Sequence, residues 1–376
     1  MHFEPDPKTV LLVVASLRGG GSSHVLLLAE GLAKRGWKPI LAAPDDSIAG
    51  RTKARKTFES WEILPLDEPF HRAQIQCLRH AILRRRPALI HAHGTRAALY
   101  ARLLKVRYRL STPLVYTVHG LHLAYRGGVA RPFRLAAERL LNYEVDRVIT
   151  VSPADRVRIR RYHLVANRDL CLIPNAVDPA PFRSSIGREE ARRRLHLPDS
   201  AFVVGAACRL HFQKDPETFI RAAAVLREEV SDLQVIVAGE GPLHAALEKL
   251  VQNEGLEDTV RFLGHYADMP AFYAATDVFA LSSRWEGCPL CLLEAAAAGV
   301  PIVATAVPGT LDLAGDLGCM LLVPPEDPEA LAKAILRYKK DPSLARDLAD
   351  RAATLLSDHL EPERMIGAVD SLYREL

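Results

Sequence analysis

The chain has 376 residues, 49% apolar and 25% charged, with a net charge of +4 and six scattered cysteines. That length exceeds one ordinary core and predicts two domains; the balance is that of a soluble globular chain, not a fibrous, disulfide-stapled or membrane-spanning one. The small net charge hides an asymmetry: residues 1–180 hold 29 Lys and Arg against 15 Asp and Glu, and the remainder 20 against 30. The first half is therefore expected to meet something anionic.

The start, MHFEPDPKTVLLVVASLRGGG, carries acids and prolines where a signal peptide needs cations, and a glycine loop where it needs a cleavage site. The expectation is a cytoplasmic protein. TVLLVVAS is a continuous apolar run of the parallel-sheet kind, followed by the loop RGGGSS and a helix in HVLLLAEGLAKRGW. KPILAAP, ALIHAH, PLVYTVHG and DRVITVSP are further strands alternating with helices such as TRAALYARLLKV. Such alternation predicts a doubly wound sheet. It stops at LIPNAVDPAPF, where three prolines with Asn175 and Asp178 mark a linker.

The pattern then restarts with AFVVGAACRL, LQVIVAGEGP, TVRFLGH, VFALSS, PIVATAV and CMLLVPP as strands. The fold expected is α/β, two Rossmann-like doubly wound domains facing across a cleft. The boundaries are 1–178 and 179–360, with a helix at 361–376 crossing back to the first domain. An uncharged run from Ala295 to Leu311 is interrupted by Gly299, Pro301, Pro308 and Gly309, so it is not a membrane span. Cys288 and Cys291 have redox or zinc spacing, but no second pair completes four ligands; both are read as small apolar residues at a helix start.

Polar clusters fall at the strand ends. Gly19 and Gly20 follow the first strand, His119 ends the VHG strand, and Arg209 and Lys214 lie five apart in CRLHFQK. Gly239 and Glu240 sit in AGEGP, and Glu286 follows SSRW. Two cations beside a loop without side chains suit a diphosphate, although the spacing alone is more often that of an ordinary solvated cation pair. Pro289 suits a first helical turn, leaving Glu286 in the preceding loop and Glu294 within the helix. The amides of Leu290 and Cys291 would then face a phosphate, with the two carboxylates flanking it. Glu294, heading AAAA on an apolar helix, needs a partner from the fold or from a ligand. His91 and His93 are read as projecting to opposite faces of their strand, which separates them as metal ligands. There is no D-x-D triplet, complete G-x-G-x-x-G or P-loop, so a metal-free site of cations and helix dipoles is expected.

Together, GGGSSHVLLLAEGLAKRGW, VHG, RLHFQK, AGEGP and EGCPLCLLEAAAAGVPIVAT resemble the retaining glycosyltransferases of family 4, which have the GT-B fold. The resemblance implies that Arg209 and Lys214 bind the donor diphosphate, Glu286 and His119 contact the transferred sugar, and Glu294 holds the ribose. It implies that Gly20 approaches the same phosphates and that Gly239 and Glu240 lie beside the nucleotide; Gly19, with Leu290 and Cys291 at the helix start, is read as donor-binding too. Cys208, Ala176 and PGTLD depart from the family's usual residues. The implied activity moves a sugar from a UDP- or GDP-linked donor to a hydroxyl acceptor, a lipid-linked or cell-surface glycan intermediate, with no cofactor and no metal. Lys214→Ala is expected to lower turnover with little loss of fold. Rival readings are a nucleotide-sugar epimerase, separable by incubation with donor alone, and a non-catalytic nucleotide-sugar-binding subunit. Basic clusters at 51–56, 78–87 and 107–134 are expected to rest on anionic lipid at the inner face of the cytoplasmic membrane or to bind a phosphate-bearing acceptor. Nucleic acid is not expected, because no recognition helix or aromatic platform is present.

Overall fold

A computed structural model describes residues 6–45, 52, 55–58, 60–64, 66, 72–121, 130–184, 186–315, 318–359 and 361–376. The chain divides into two compact units, Met1–Ala176 with Pro362–Leu376, and Val177–Glu361. The changeover falls inside the proline-containing stretch read as a linker.

In the first unit, seven parallel strands are β1 (Asp6–Val14), β2 (Lys38–Ala43), β3 (Ser60–Ile63), β4 (Pro87–His93), β5 (Leu114–Val118), β6 (Arg147–Thr150) and β7 (Leu170–Leu172). Their order is β3-β2-β1-β4-β5-β6-β7. The unbroken apolar run of β1 has a simple cause. Leu11 and Val13 enter one core with Ala97, Tyr100 and Leu104 of helix Gly94–Tyr108. Val10, Leu12 and Val14 enter another with Val25, Leu28 and Leu32 of helix Gly20–Lys34. Helices cover both faces, so neither set of alternating side chains meets water.

Helix Pro362–Arg374 belongs to this second core through Met365, Ile366, Val369 and Leu372. Its polar edge is also tied: Trp37 Nε1 donates to Asp370 Oδ1 at 2.7 Å and Arg35 pairs with Glu363 at 2.7 Å.

In the second unit, β8 (Phe202–Ala207), β9 (Leu233–Ala238), β10 (Val260–Gly264), β11 (Val278–Leu281), β12 (Ile302–Thr305) and β13 (Leu321–Val323) are also parallel. Their order is β10-β9-β8-β11-β12-β13. One face is packed by helices Pro216–Glu229 and Pro328–Lys340 through Phe219, Ile220, Leu331 and Ile335. Each buried side chain of this kind contributes about 1.5–3 kcal/mol.

Both sheets reverse their winding once, between β1 and β4 and between β8 and β11. At such a point the loops leave in opposite directions and open a crevice beyond the strand ends, where ligands of doubly wound sheets bind. Among the described residues, no helix is long and apolar enough to cross a membrane.

Candidate active site

In the second unit the loops after β8 and β11 are built as one piece. After β8 the chain runs through Arg209 to a single turn, Phe212–Lys214. Asp215 then takes a left-handed conformation (φ 47°) and starts helix Pro216–Glu229. Ser282 donates to the carbonyls of Lys214 (3.0 Å) and Asp215 (2.8 Å), and Arg284 N–H to that of Gln213 (2.8 Å). Gln213 returns a bond to Trp285 O at 3.0 Å, while Arg284 pairs with Asp215 at 3.1 Å. These bonds hold the two loops in register.

Between the two loops lies Glu286, 5% exposed. Lys214 Nζ stands 2.5 Å from its Oε1, which also accepts from Ser283 Oγ at 2.5 Å. Burial works against the charge on Lys214, but the adjacent Glu286 carboxylate outweighs it and holds the ammonium above its ordinary pKa. Such a pair is stable only with both partners present; removing one strands a buried charge. Ser283 is held in turn, since Thr305 Oγ1 donates to its carbonyl at 2.6 Å.

Glu286 lies in the loop, and the helix Leu290–Ala297 follows with Pro289 at its cap, one place before the first helical residue. No side chain caps that helix. Glu294 is half-buried, and the fold supplies its partner: Tyr273 OH donates to Oε2 at 2.9 Å. Burial first, and Glu294 second, push the Tyr273 phenol well above its ordinary pKa, so it remains a donor. Burial also pushes the Cys208 thiol up to about 11 and raises that of Cys291 further, so both stay protonated and uncharged at neutral pH.

Two glycines set close approaches. Gly239 has φ 138°, and a Cβ there would sit 1.9 Å from Cys208 O, so the turns after β8 and β9 touch backbone to backbone. Leu210 N–H donates to Glu240 O at 2.9 Å across the same contact. A Cβ on Gly309 would sit 2.0 Å from Gly287 O. The PGTLD segment thus begins helix Pro308–Ala314 directly against the Glu286 loop. Arg209 is exposed, on the same loop as Lys214.

The first unit presents a different constellation at its switch point. Gly19 (φ 80°) caps helix Gly20–Lys34, which carries His24; His93 ends β4, and His119 follows β5. The expectation that His91 and His93 face apart is wrong, because residues two apart in a strand share a face. Their ring centroids are 4.0 Å apart. The two rings nevertheless differ. His91 is a satisfied core residue, with Nδ1 2.5 Å from Tyr373 OH and Nε2 2.7 Å from Thr117 Oγ1. His93 Nδ1 lies 3.4 Å from His119 Nε2, its one partner among the described residues. His93 Nε2 and His24 Nδ1 are buried with no hydrogen-bond partner among the described residues, a state that costs about 1–3 kcal/mol per group. Burial, then neighbouring histidines, holds His24 and His93 well below the ordinary imidazole pKa, and brings His91 to about 3. All three are neutral.

Of the residues singled out from sequence, Lys214 and Glu286 are in contact, Gly239 and Glu240 abut the Arg209 loop, and Leu290 and Cys291 begin the Glu294 helix. Gly19, Gly20 and His119 lie in the other unit. Sequence reading missed Ser283 and Tyr273, the partners of the two carboxylates. SSRWEG signalled a strand end, but nothing in AFYAATD pointed to a carboxylate 21 positions onward. Among the basic clusters, Arg84 and Arg85 both pair with the buried Glu62, which restrains two cations expected to serve an outside partner. Parts of 51–56 and 107–134 lie outside the described residues.

Comparison with known proteins fits this arrangement. The profile for Glycosyl transferases group 1 matches residues 187–355, and that for Glycosyltransferase Family 4 matches 18–181. The Alpha-D-kanosaminyltransferase of Streptomyces kanamyceticus is 30% identical over 301 residues, covering 77% of this chain and 78% of that protein. The chain belongs to the glycosyl transferases group 1 family. The D-inositol 3-phosphate glycosyltransferase of Salinispora arenicola is 34% identical over 288 residues, 70% of this chain. That match spans 63% of the S. arenicola protein, and the match to its S. tropica counterpart spans 57% of that one. In structure this group 1 chain is similar to HepE of Anabaena, crystallised with UDP and glucose, with a TM-score of 0.85 at 21% identity, covering 98% of this chain and all of that one. Both are α/β proteins of the GT-B class.

Proposed function

We propose that this chain is a retaining glycosyltransferase that moves a sugar from a UDP- or GDP-linked donor to a hydroxyl acceptor. The observation that carries this reading is the buried Lys214–Glu286–Ser283 cluster at the switch point of the second sheet, directly before an uncapped helix. As the bond from sugar C1 to phosphate oxygen breaks, the electron pair stays on the nucleoside diphosphate. Lys214, Arg209 and the amides of Leu290 and Cys291 receive that charge. They need little reorganisation, because the loop bonds already fix the Lys214 backbone. The acceptor oxygen attacks on the face the diphosphate leaves, and its proton passes to the departing phosphate. Glu286 orients the transferred sugar. Glu294, aimed by Tyr273, accepts from the ribose hydroxyls. In the second unit, Gly239 and Glu240 line the nucleotide.

UDP and UDP-glucose are the compounds bound by HepE, which favours uridine donors in the first screen. The acceptor proposed is a lipid-linked or cell-surface glycan, approached from an anionic membrane surface through the basic first unit. The test is thermal shift against UDP- and GDP-sugars, followed by NMR of the product's anomeric configuration. Stabilisation growing with ligand concentration, then retention, is expected. An inverted product, or conversion of donor in the absence of any acceptor, refutes the reading.

A further inference from the structure

His24, His93 and His119 lie at the reversal point of the first sheet, one each from a helix, the end of β4 and the loop after β5. One ring nitrogen from each lies within 4.8 Å of those of the other two. The ring centroids are 5.5 Å apart for His24 and His93, 4.9 Å for His24 and His119, and 5.6 Å for His93 and His119. Two of the rings point a buried nitrogen at no partner among the described residues. A structural role leaves that unexplained, because a core histidine normally finds partners for both nitrogens, as His91 does in the same strand.

We infer that His24, His93 and His119 bind one divalent transition-metal ion of the zinc class. Three imidazoles, with no carboxylate joining them among the described residues, select zinc, cobalt, nickel or copper over magnesium or calcium, which prefer oxygen. Burial already holds His24 and His93 uncharged, the form in which imidazole donates its lone pair. Nitrogens around a tetrahedral zinc stand roughly 3.4 Å apart, from bonds of about 2.1 Å. The rings therefore close by at most about 1.4 Å, within reach of side-chain rotation. Three protein ligands leave a fourth position for water or another oxygen donor. The ion would tie together three elements that end at the same crevice. Binding does not depend on whether His119 also meets a sugar.

The test uses the full chain, free of any histidine tag and stripped with chelator, titrated with Zn2+ by calorimetry and examined at the zinc edge by X-ray absorption. One ion per chain, with three imidazole nitrogens at about 2.0–2.1 Å, is the expected result. His24→Gln, His93→Gln and His119→Ala should each weaken binding at least about tenfold, with folding checked by circular dichroism. His163→Ala, at an exposed histidine elsewhere on the unit, should leave it unchanged. Sulfur in the zinc shell, fewer than two imidazoles, no binding, or affinity undiminished in the folded variants would overturn the site. The absorption spectrum of the unmodified protein decides the matter even if a variant fails to fold.

Discussion

The loops beyond β8 and β11 occupy the same place in their sheet as those beyond β1 and β4 in theirs, yet the two crevices are polarised differently. The second unit buries a formal ion pair there, Lys214 with Glu286, and satisfies it with Ser283. The first unit buries imidazoles held neutral, and leaves two nitrogens unmatched among the described residues. Topology thus fixes where a doubly wound sheet places its ligand, while the side chains decide whether that ligand is met by fixed charge or by lone pairs. The difference also runs against the overall charge, because Lys214, the cation paired with the buried Glu286, lies in the more acidic half. Some of the first half's excess is absorbed internally: Arg102 is fully buried against Glu138 (2.8 Å) and Asn142 (2.6 Å).

The contrast can be broken or sharpened by experiment. Lys214→Ala should lower turnover by on the order of 10²-fold or more, since it removes a cation that holds developing charge; steady-state kinetics with the donor found by thermal shift will measure it. A variant within tenfold of the parent breaks the assignment.

The same substitution is expected to weaken the fold, contrary to the reading from sequence, because Glu286 is left buried with only Ser283. A loss of about 2–4 kcal/mol follows, taken below the fully buried case because Lys214 is one-fifth exposed. Denaturant melts should show Glu286→Gln restoring part of that stability in the double variant. No coupling between the two substitutions would mean that the pair does not hold the loops.

Acid and alkali should attack opposite units. A histidine whose folded pKa is depressed binds a proton more readily when unfolded, so stability falls as pH drops below about 6.5, by up to about 1.4 kcal/mol per pH unit per group. His91, faced by Tyr373, Thr117 and the other imidazoles, is the best-defined case, at about 3. Lys214 is the reverse: its pKa is raised, so its contribution is complete below about pH 10.4 and is lost as pH rises through the folded value. Trp37 and Trp61 report on the first unit and Trp285 on the second. With chelator present, single-tryptophan variants should show the first unit weakening between pH 6.5 and 5 while Trp285 is unmoved.

The smallest effect is at Tyr273. Removing its hydroxyl in Tyr273→Phe should raise the donor KM about fivefold with kcat little changed, the scale of one hydrogen bond near 1 kcal/mol. A larger fall in kcat would place Glu294 nearer the chemistry than the ribose.

Much of the architecture was legible in sequence because local rules and the global fold agree. Val10–Val14 could be read as a parallel strand because five consecutive apolar residues have only one use in a sheet covered on both sides. The linker at 172–182 could be read because prolines end both strands and helices. Glu286 and Lys214 could be marked by their positions after strands and by family resemblance. Their contact could not, because 72 residues separate them. The same holds for Tyr273 and Glu294, and for Tyr373, which reaches His91 across 282 residues.

What the sequence alone determined is therefore the alternation of elements, the two halves and the strand ends where chemistry could collect, since these follow from periodicity and turn residues. Tertiary structure decided which partner satisfies each buried polar group: Ser283 and Lys214 for Glu286, Tyr273 for Glu294, Thr117 and Tyr373 for His91. Periodicity carries no trace of such pairings, because the penalty for an unmatched buried polar atom depends on what packs beside it in space, not on its neighbours along the chain.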